Sequence, residues 1–387
     1  MIHLAGGTLA FLLGGELCLA ENDIWFDPGL GICIPEPANT TPLPVDTIDC
    51  TGKYITPGLF DSHIHGGFGY DISNAAAEGI VDLSCRLARC GISVFLPTTM
   101  TMSGADTRKA LKAVSDAISI QEDMTSPYAR ILGVHLEGPF LSREQAAAQN
   151  KEYLILPDNK IMRDLEEEFP GLIKIVDIAP ELPGAEEFCS EFKDKYVLSA
   201  AHSEADYETA MKFFAGGGRS VTHILNAMEP CLKRAPGIPG AAYDSEGVFV
   251  EVICDGMHVE PPVLRMLFDL YEGRVIAVSD CMSAAGMPEG NYELGGAKVT
   301  VRDGKALGSN GRLAGSVTLL PEAAMRLKNA GIPADMIIDA MVYAPYRRLN
   351  IEPPTLWAGQ PADINIFDED LKLVKVFSRG KSMSEEC

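Results

Sequence analysis

From residue 58 onward, short runs of apolar and β-branched residues alternate with longer segments whose apolar positions recur every three or four residues. The first pattern predicts strands buried on both faces and the second amphipathic helices, so their alternation predicts repeated βα units around a parallel sheet. Eight strand candidates can be counted, at residues 58–65, 91–98, 130–137, 172–180, 196–202, 219–223, 248–255 and 274–280. Segments such as 75–90, 105–120, 207–215 and 261–271 carry the helical spacing between them. Eight units predict a TIM-type (β/α)8 barrel over residues 57–356, a fold whose active site collects at the carboxyl ends of its strands. Chemically capable side chains should therefore stand where each run ends.

The leading residues read differently. Short apolar stretches there are broken by Pro28-Gly29, Pro35-Glu36-Pro37 and the cluster at 39–42, which predicts hairpins. Residues 362–367 and 373–377 again have strand character. The chain is thus expected to build a small β-sandwich domain from both termini, residues 1–56 plus 357–387, beside the barrel. Residues 4–20, rich in Leu, Ala and Gly, have the outward look of a secretory signal core. However, no Lys or Arg precedes Lys53 and Glu16 interrupts the stretch, so strands are the better reading and export the lesser alternative.

Composition narrows the partners. At 387 residues with 47% hydrophobic and 22% charged side chains, the chain is an ordinary folded protein with ample material for a core. Its 54 Asp and Glu against 32 Lys and Arg give a formal charge of -22. A surface of that sign repels nucleic acid and anionic lipid, so neither is expected as a partner. The ten cysteines form no C-x-x-C pair and several lie in apolar runs, which predicts buried thiols and a cytoplasmic, reducing compartment.

The seven histidines carry the candidate chemistry. Six of them, 63, 65, 135, 202, 223 and 258, fall in or directly after candidate strands. His63 and His65 are two apart, so on a strand they share a face and can address one ion. Glu137 ends the third run, where a carboxylate can bridge two cations. His202, His223 and Asp280 end the fifth, sixth and eighth. Singly, each is more often a hydrogen-bonded structural residue, a turn residue or a helix cap. Together, four His, one Glu and one Asp converge on one barrel mouth, a nitrogen and oxygen donor set suited to one or two divalent ions. Zinc fits first, and iron, manganese or cobalt are also accommodated.

Several segments together resemble the amidohydrolase superfamily, and within it the family of N-acetylglucosamine-6-phosphate deacetylases. These are residues 57–65 (Pro-Gly-Leu-Phe-Asp-Ser-His-Ile-His), His135-Leu136-Glu137-Gly138-Pro139-Phe140, 222–228 (Thr-His-Ile-Leu-Asn-Ala-Met), 255–259 (Asp-Gly-Met-His-Val), 279–288 and Leu313-Ala314-Gly315-Ser316. The resemblance implies that Glu137, His202 and His223 hold the principal metal, with His63, His65 and Asp280 completing a second site. It implies Asp280 as the catalytic acid and base, and Asn226, Ala227, Arg234 and His258 as contacts to a small-molecule sugar phosphate. It further implies a homodimer.

Two positions depart from the family pattern. Gln149 stands where a carbonyl-polarising histidine is usual, and an amide can donate a hydrogen bond but cannot transfer a proton as imidazolium can. Ala235 replaces the glutamate of an R-E-P-G turn. The substrate therefore stays open between N-acetylglucosamine 6-phosphate, its galactosamine epimer and another small amide, with a non-catalytic sugar-phosphate sensor as the reading from a different class.

Overall fold

A computed structural model of the chain describes residues 1–33 and 46–383. The clusters at 35–37 and 39–42 lie outside the described residues. Eight parallel strands, Leu59–Ile64, Ile92–Thr99, Val134–Phe140, Ile173–Ile178, Val197–Ala200, Ser220–Val221, Phe249–Ile253 and Val275–Val278, coincide with the eight expected runs to within four residues at either end. They pair in chain order around a barrel. The seam between first and last is shut by backbone bonds: Asp280 N–H donates to the His63 carbonyl at 3.0 Å and His65 N–H to the Cys281 carbonyl at 2.9 Å. Because helices cover the outside and side chains fill the inside, strands such as Val275–Val278 are buried at every position. That is why they read as continuous apolar runs.

The expected helices form at Ala77–Arg89, Gly104–Glu122, Tyr207–Gly216 and Pro261–Leu270, joined by Asn159–Glu168, Ala185–Phe192, Gly237–Asp244 and Leu320–Asn329. Local chemistry starts several of them. Asp206 accepts the Thr209 N–H at 2.8 Å and Ser103 the Asp106 N–H at 3.2 Å, satisfying donors that the first helical turn leaves without partners.

The terminal segments form a separate eight-stranded sheet. Ile2–Leu13 and Glu16–Asp27 make its long hairpin, turning at Gly14-Gly15, where both residues have positive φ and glycine carries no strain. The stretch that looked like a signal core is this hairpin. Tyr54–Pro57 pairs with Ile364–Phe367, so the two ends of the chain close on each other beside the barrel. Cys50, Cys189, Cys254 and Cys281 are buried free thiols, but Cys231 is exposed, which corrects the expectation of uniformly buried cysteines. Among the described residues, no helix is long and apolar enough to cross a membrane.

One feature was not anticipated. Directly after the Asp280 loop the chain makes a three-stranded antiparallel flap, Gly290–Leu294, Ala297–Arg302 and Lys305–Gly308. It packs on Met100, Met282 and Ala314 through Leu294, Val299 and Val301, beside the barrel mouth. The returning strand is tied down where Ser316 N–H donates to the Asp280 carbonyl at 2.8 Å.

Candidate metal centre

The strand ends bring all six expected donors together, and each is less than one-tenth exposed. His202 Nε2 and His223 Nε2 lie 3.0 and 3.1 Å from Glu137 Oε1 and 3.2 Å from each other. On the other side of the same carboxylate, His65 Nε2 is 3.1 Å from Glu137 Oε2 and 3.2 Å from Asp280 Oδ1. His63 Nε2 is 3.3 Å from His65 Nε2 and 3.4 Å from Asp280 Oδ1. Two triads result, Glu137–His202–His223 and His63–His65–Asp280, joined through Glu137.

The outward-facing nitrogens fix which way the inward ones are poised. His63 Nδ1 is 2.9 Å from Glu251 Oε2, His65 Nδ1 is 3.1 Å from the Thr98 carbonyl, and His202 Nδ1 is 2.8 Å from the Gln145 carbonyl. Carbonyls and carboxylates only accept, so each Nδ1 carries the proton and each Nε2 turns a lone pair toward the site. Glu137 Oε2 is buried without a directed hydrogen bond. Facing lone pairs about a carboxylate with an unsatisfied buried oxygen suit a divalent cation, and the residues fit it.

Without a cation the same negative field gathers protons. Burial works against charging His65 and His223, yet hydrogen bonds that His65 donates to Asp280 and Glu137 raise it well above its usual range, and Glu137 raises His223 to about 9. Burial would lift the Glu137 carboxyl, but His202, His223 and His65 hold it well below the carboxylate range.

Backbone geometry shows why these side chains sit just past the strands. His202, His223 and Asp280 each follow the last strand residue by two and adopt left-handed φ of 43°, 32° and 46°. Such conformations cost of order 1–3 kcal/mol each and persist where the surroundings enforce them. Glu137 instead lies within its strand, and Gly138 follows because a Cβ there would meet Thr101 Oγ1 at 2.1 Å with φ at +89°.

A cavity of about 310 Å³ opens over the triads, lined also by Gln149, Asn226, Ala227 and His258. His258 Nδ1 is held by Asp255 Oδ2 at 2.8 Å. Gln149 Oε1 accepts the Thr101 N–H at 2.7 Å, while its Nε2 has only the Met100 sulfur at 3.7 Å. Arg234 is not brought in: it is exposed, on the turn where Leu232 and Ala235 pair, and does not line this cavity. His135 is in the barrel interior rather than the cavity, with Nε2 2.9 Å from Asp177 Oδ1 and Nδ1 3.2 Å from the Ser62 carbonyl.

A model of the amidohydrolase family matches residues 54–383. The chain belongs to that family. Among its amidohydrolase relatives, N-acetylglucosamine-6-phosphate deacetylase of Bacillus subtilis (strain 168) is 34% identical over 332 residues, 84% of this chain and 83% of that protein. N-acetylgalactosamine-6-phosphate deacetylase of Escherichia coli O157:H7 is 29% identical over 349 residues, 89% of this chain and 91% of its own. A solved amidohydrolase structure, a mutant N-acetyl-D-glucosamine-6-phosphate deacetylase from Mycobacterium smegmatis in complex with N-acetyl-D-glucosamine-6-phosphate, superposes with a TM-score of 0.86 at 26% identity. The match covers 99% of each chain.

Sequence reasoning passed over the residues that support this amidohydrolase site from behind. Glu251 and Asp177 each interrupt an apolar strand with a carboxylate, a signal that a barrel interior holds a fixed partner. Arg312, on the cavity wall, gives no such signal.

Proposed function

We propose that the chain is a metal-dependent deacetylase that hydrolyses the acetamide of N-acetylglucosamine 6-phosphate to acetate and glucosamine 6-phosphate. The observation that carries this is the pair of donor triads joined through Glu137, with the Asp280 carboxylate on the same cavity wall. The similarity to deacetylases of acetamido sugar phosphates supports the substrate class.

Glu137, His202 and His223 would hold the principal ion, zinc first among the candidates, and His63, His65 and Asp280 would hold a second when one is present. A divalent cation supplies a Lewis acid that acidifies water and polarises the amide carbonyl. Asp280 accepts the proton lost by the water oxygen as it adds to the acetamide carbon, then returns it to the nitrogen as the C–N bond breaks. Gln149 offers an amide N–H to the acetamide oxygen, because Thr101 N–H engages its Oε1 and leaves Nε2 with only the Met100 sulfur. Asn226, Ala227 and His258 hold the sugar, with Asp255 fixing the His258 ring. In amino sugar breakdown in the cytoplasm, this reaction would run in a homodimer.

The test is metal content together with acetate release from N-acetylglucosamine 6-phosphate and its galactosamine epimer, before and after chelation. Chelator-sensitive release, restored by adding the ion back, is expected. A metal-loaded protein that releases no acetate from either sugar would refute the reading.

A further inference from the structure

Beneath the triad of Glu137, His202 and His223 lies a second row of polar side chains, one layer deeper in the barrel. His135, Asp177, Ser199 and Thr222 are fully buried, and they stand on the third, fourth and fifth strands and at the end of the sixth, four neighbours in the sheet. Asp177 Oδ1 is the hub. It lies 2.9 Å from His135 Nε2 and accepts the Thr222 hydroxyl at 2.7 Å. Thr222 has a single hydroxyl proton, directed to Asp177, so the Ser199 hydroxyl 2.7 Å away donates to Thr222.

Chain positions connect this row to the site above it. Glu137 follows His135 by two residues on the same strand, His202 follows Ser199 by three, and His223 follows Thr222 directly. Each donor of the triad is therefore rooted in backbone that the row ties together. The fourth strand, Ile173–Ile178, supplies none of the six donors; its contribution at this level is Asp177. A carboxylate buried there is costly unless its hydrogen bonds are made, and a leucine of similar size would fill the space without that cost. An apolar side chain cannot, however, fix the third and sixth strands at a set spacing through two directed hydrogen bonds. The link also bears on His223 itself. His63, His65 and His202 each have an acceptor at Nδ1, whereas His223 Nδ1 is buried without one. The Asp177 charge acts on the His223 ring. A carboxylate so placed makes a ligand imidazole a stronger donor to a cation.

We propose that Asp177 is a positioning residue for the principal metal site, holding Glu137 and His223 at ligand spacing from below through His135 and Thr222. The proposal rests on the metal reading of the triad and is independent of which acetamido sugar is the substrate.

The experiment measures the affinity of the full chain for its first equivalent of zinc, by competition with a chromophoric chelator. The visible absorption of the cobalt(II)-loaded protein, which reports ligand geometry, is recorded alongside. Wild type is compared with D177L, D177N, T222V and L87A. D177L removes acceptor and charge at similar volume and is expected to weaken zinc binding on the order of 10- to 100-fold and to alter the cobalt band. T222V cuts only the arm to the sixth strand and should show a smaller loss of the same kind. D177N keeps an acceptor oxygen for both donors and should restore most of the affinity and the wild-type cobalt spectrum. Leu87 is buried near the carboxyl end of the helix Ala77–Arg89, away from the strand ends, so L87A should lower stability and leave both metal readouts unchanged. Should D177L fail to fold, T222V decides. Wild-type affinity and spectrum in D177L and T222V overturn the proposal, and so does an equal loss in L87A, which would trace the effect to stability alone. A wild-type chain that takes up no zinc overturns the metal reading and the proposal with it. Zinc uptake that is indifferent to Asp177 and Thr222 overturns the proposal alone.

Discussion

Replacing Arg348 with methionine removes the cation that compensates Glu251 at the centre of the barrel. Both side chains are fully buried, and Glu251 bonds Arg348 through one carboxylate oxygen and His63 Nδ1 through the other. Burial alone would push the Glu251 carboxyl up, yet Arg348 and His63 hold it far below the carboxylate range. Breaking a buried pair by deleting one partner leaves an uncompensated charge and costs about 3–5 kcal/mol. The same cost is expected for Glu251→Leu, which strands the arginine. Removing both charges together should be far gentler. What is lost then is mainly the acceptor for His63 Nδ1, about 1–3 kcal/mol. The double variant should therefore be several kcal/mol more stable than the sum of the singles. Urea unfolding of chelator-treated protein measures this without the added stability of a bound ion. Additivity within about 0.5 kcal/mol would refute the reasoning. In either variant lacking Glu251, affinity for an ion at His63 should fall about 10- to 100-fold, because its tautomer is no longer fixed.

Asp280→Asn should lower kcat by about 10²- to 10⁴-fold while calorimetry still detects sugar phosphate binding, and turnover near the wild-type rate would remove Asp280 from the mechanism. Gly138→Ala forces a Cβ against Thr101 in a backbone region that side chains avoid. It should displace Glu137 and lower bound metal per chain, and full metal content with normal acetate release would show that the strand end tolerates the shift.

The barrel was legible because its strands are buried on both faces, so each reads as a mainly apolar run whose end marks the mouth. The donors were legible for the same reason, since His63, Glu137, His223 and Asp280 interrupt or terminate those runs. The flap was harder. Lys298-Val299-Thr300-Val301-Arg302 alternates as a hairpin strand should, with Asp303-Gly304 for its turn, but alternation says nothing about which loop it covers. Arg312 owes its place on the cavity wall to that flap. A loop cation's reach depends on the path of the chain around it, which local pattern does not contain.

The seam between the first and last barrel strands also orders events in time. Glu137, His202 and His223 come from the third, fifth and sixth strands, whereas His63 and Asp280 meet only where that seam shuts. During synthesis the amino-terminal part emerges and begins to organise first, and contacts between distant segments form late because a long loop must close. A chain halted before residue 280 can carry the donors of one triad, but it lacks the carboxylate assigned to proton exchange. The proton exchange proposed for Asp280 would thus wait for the ends of the barrel to join.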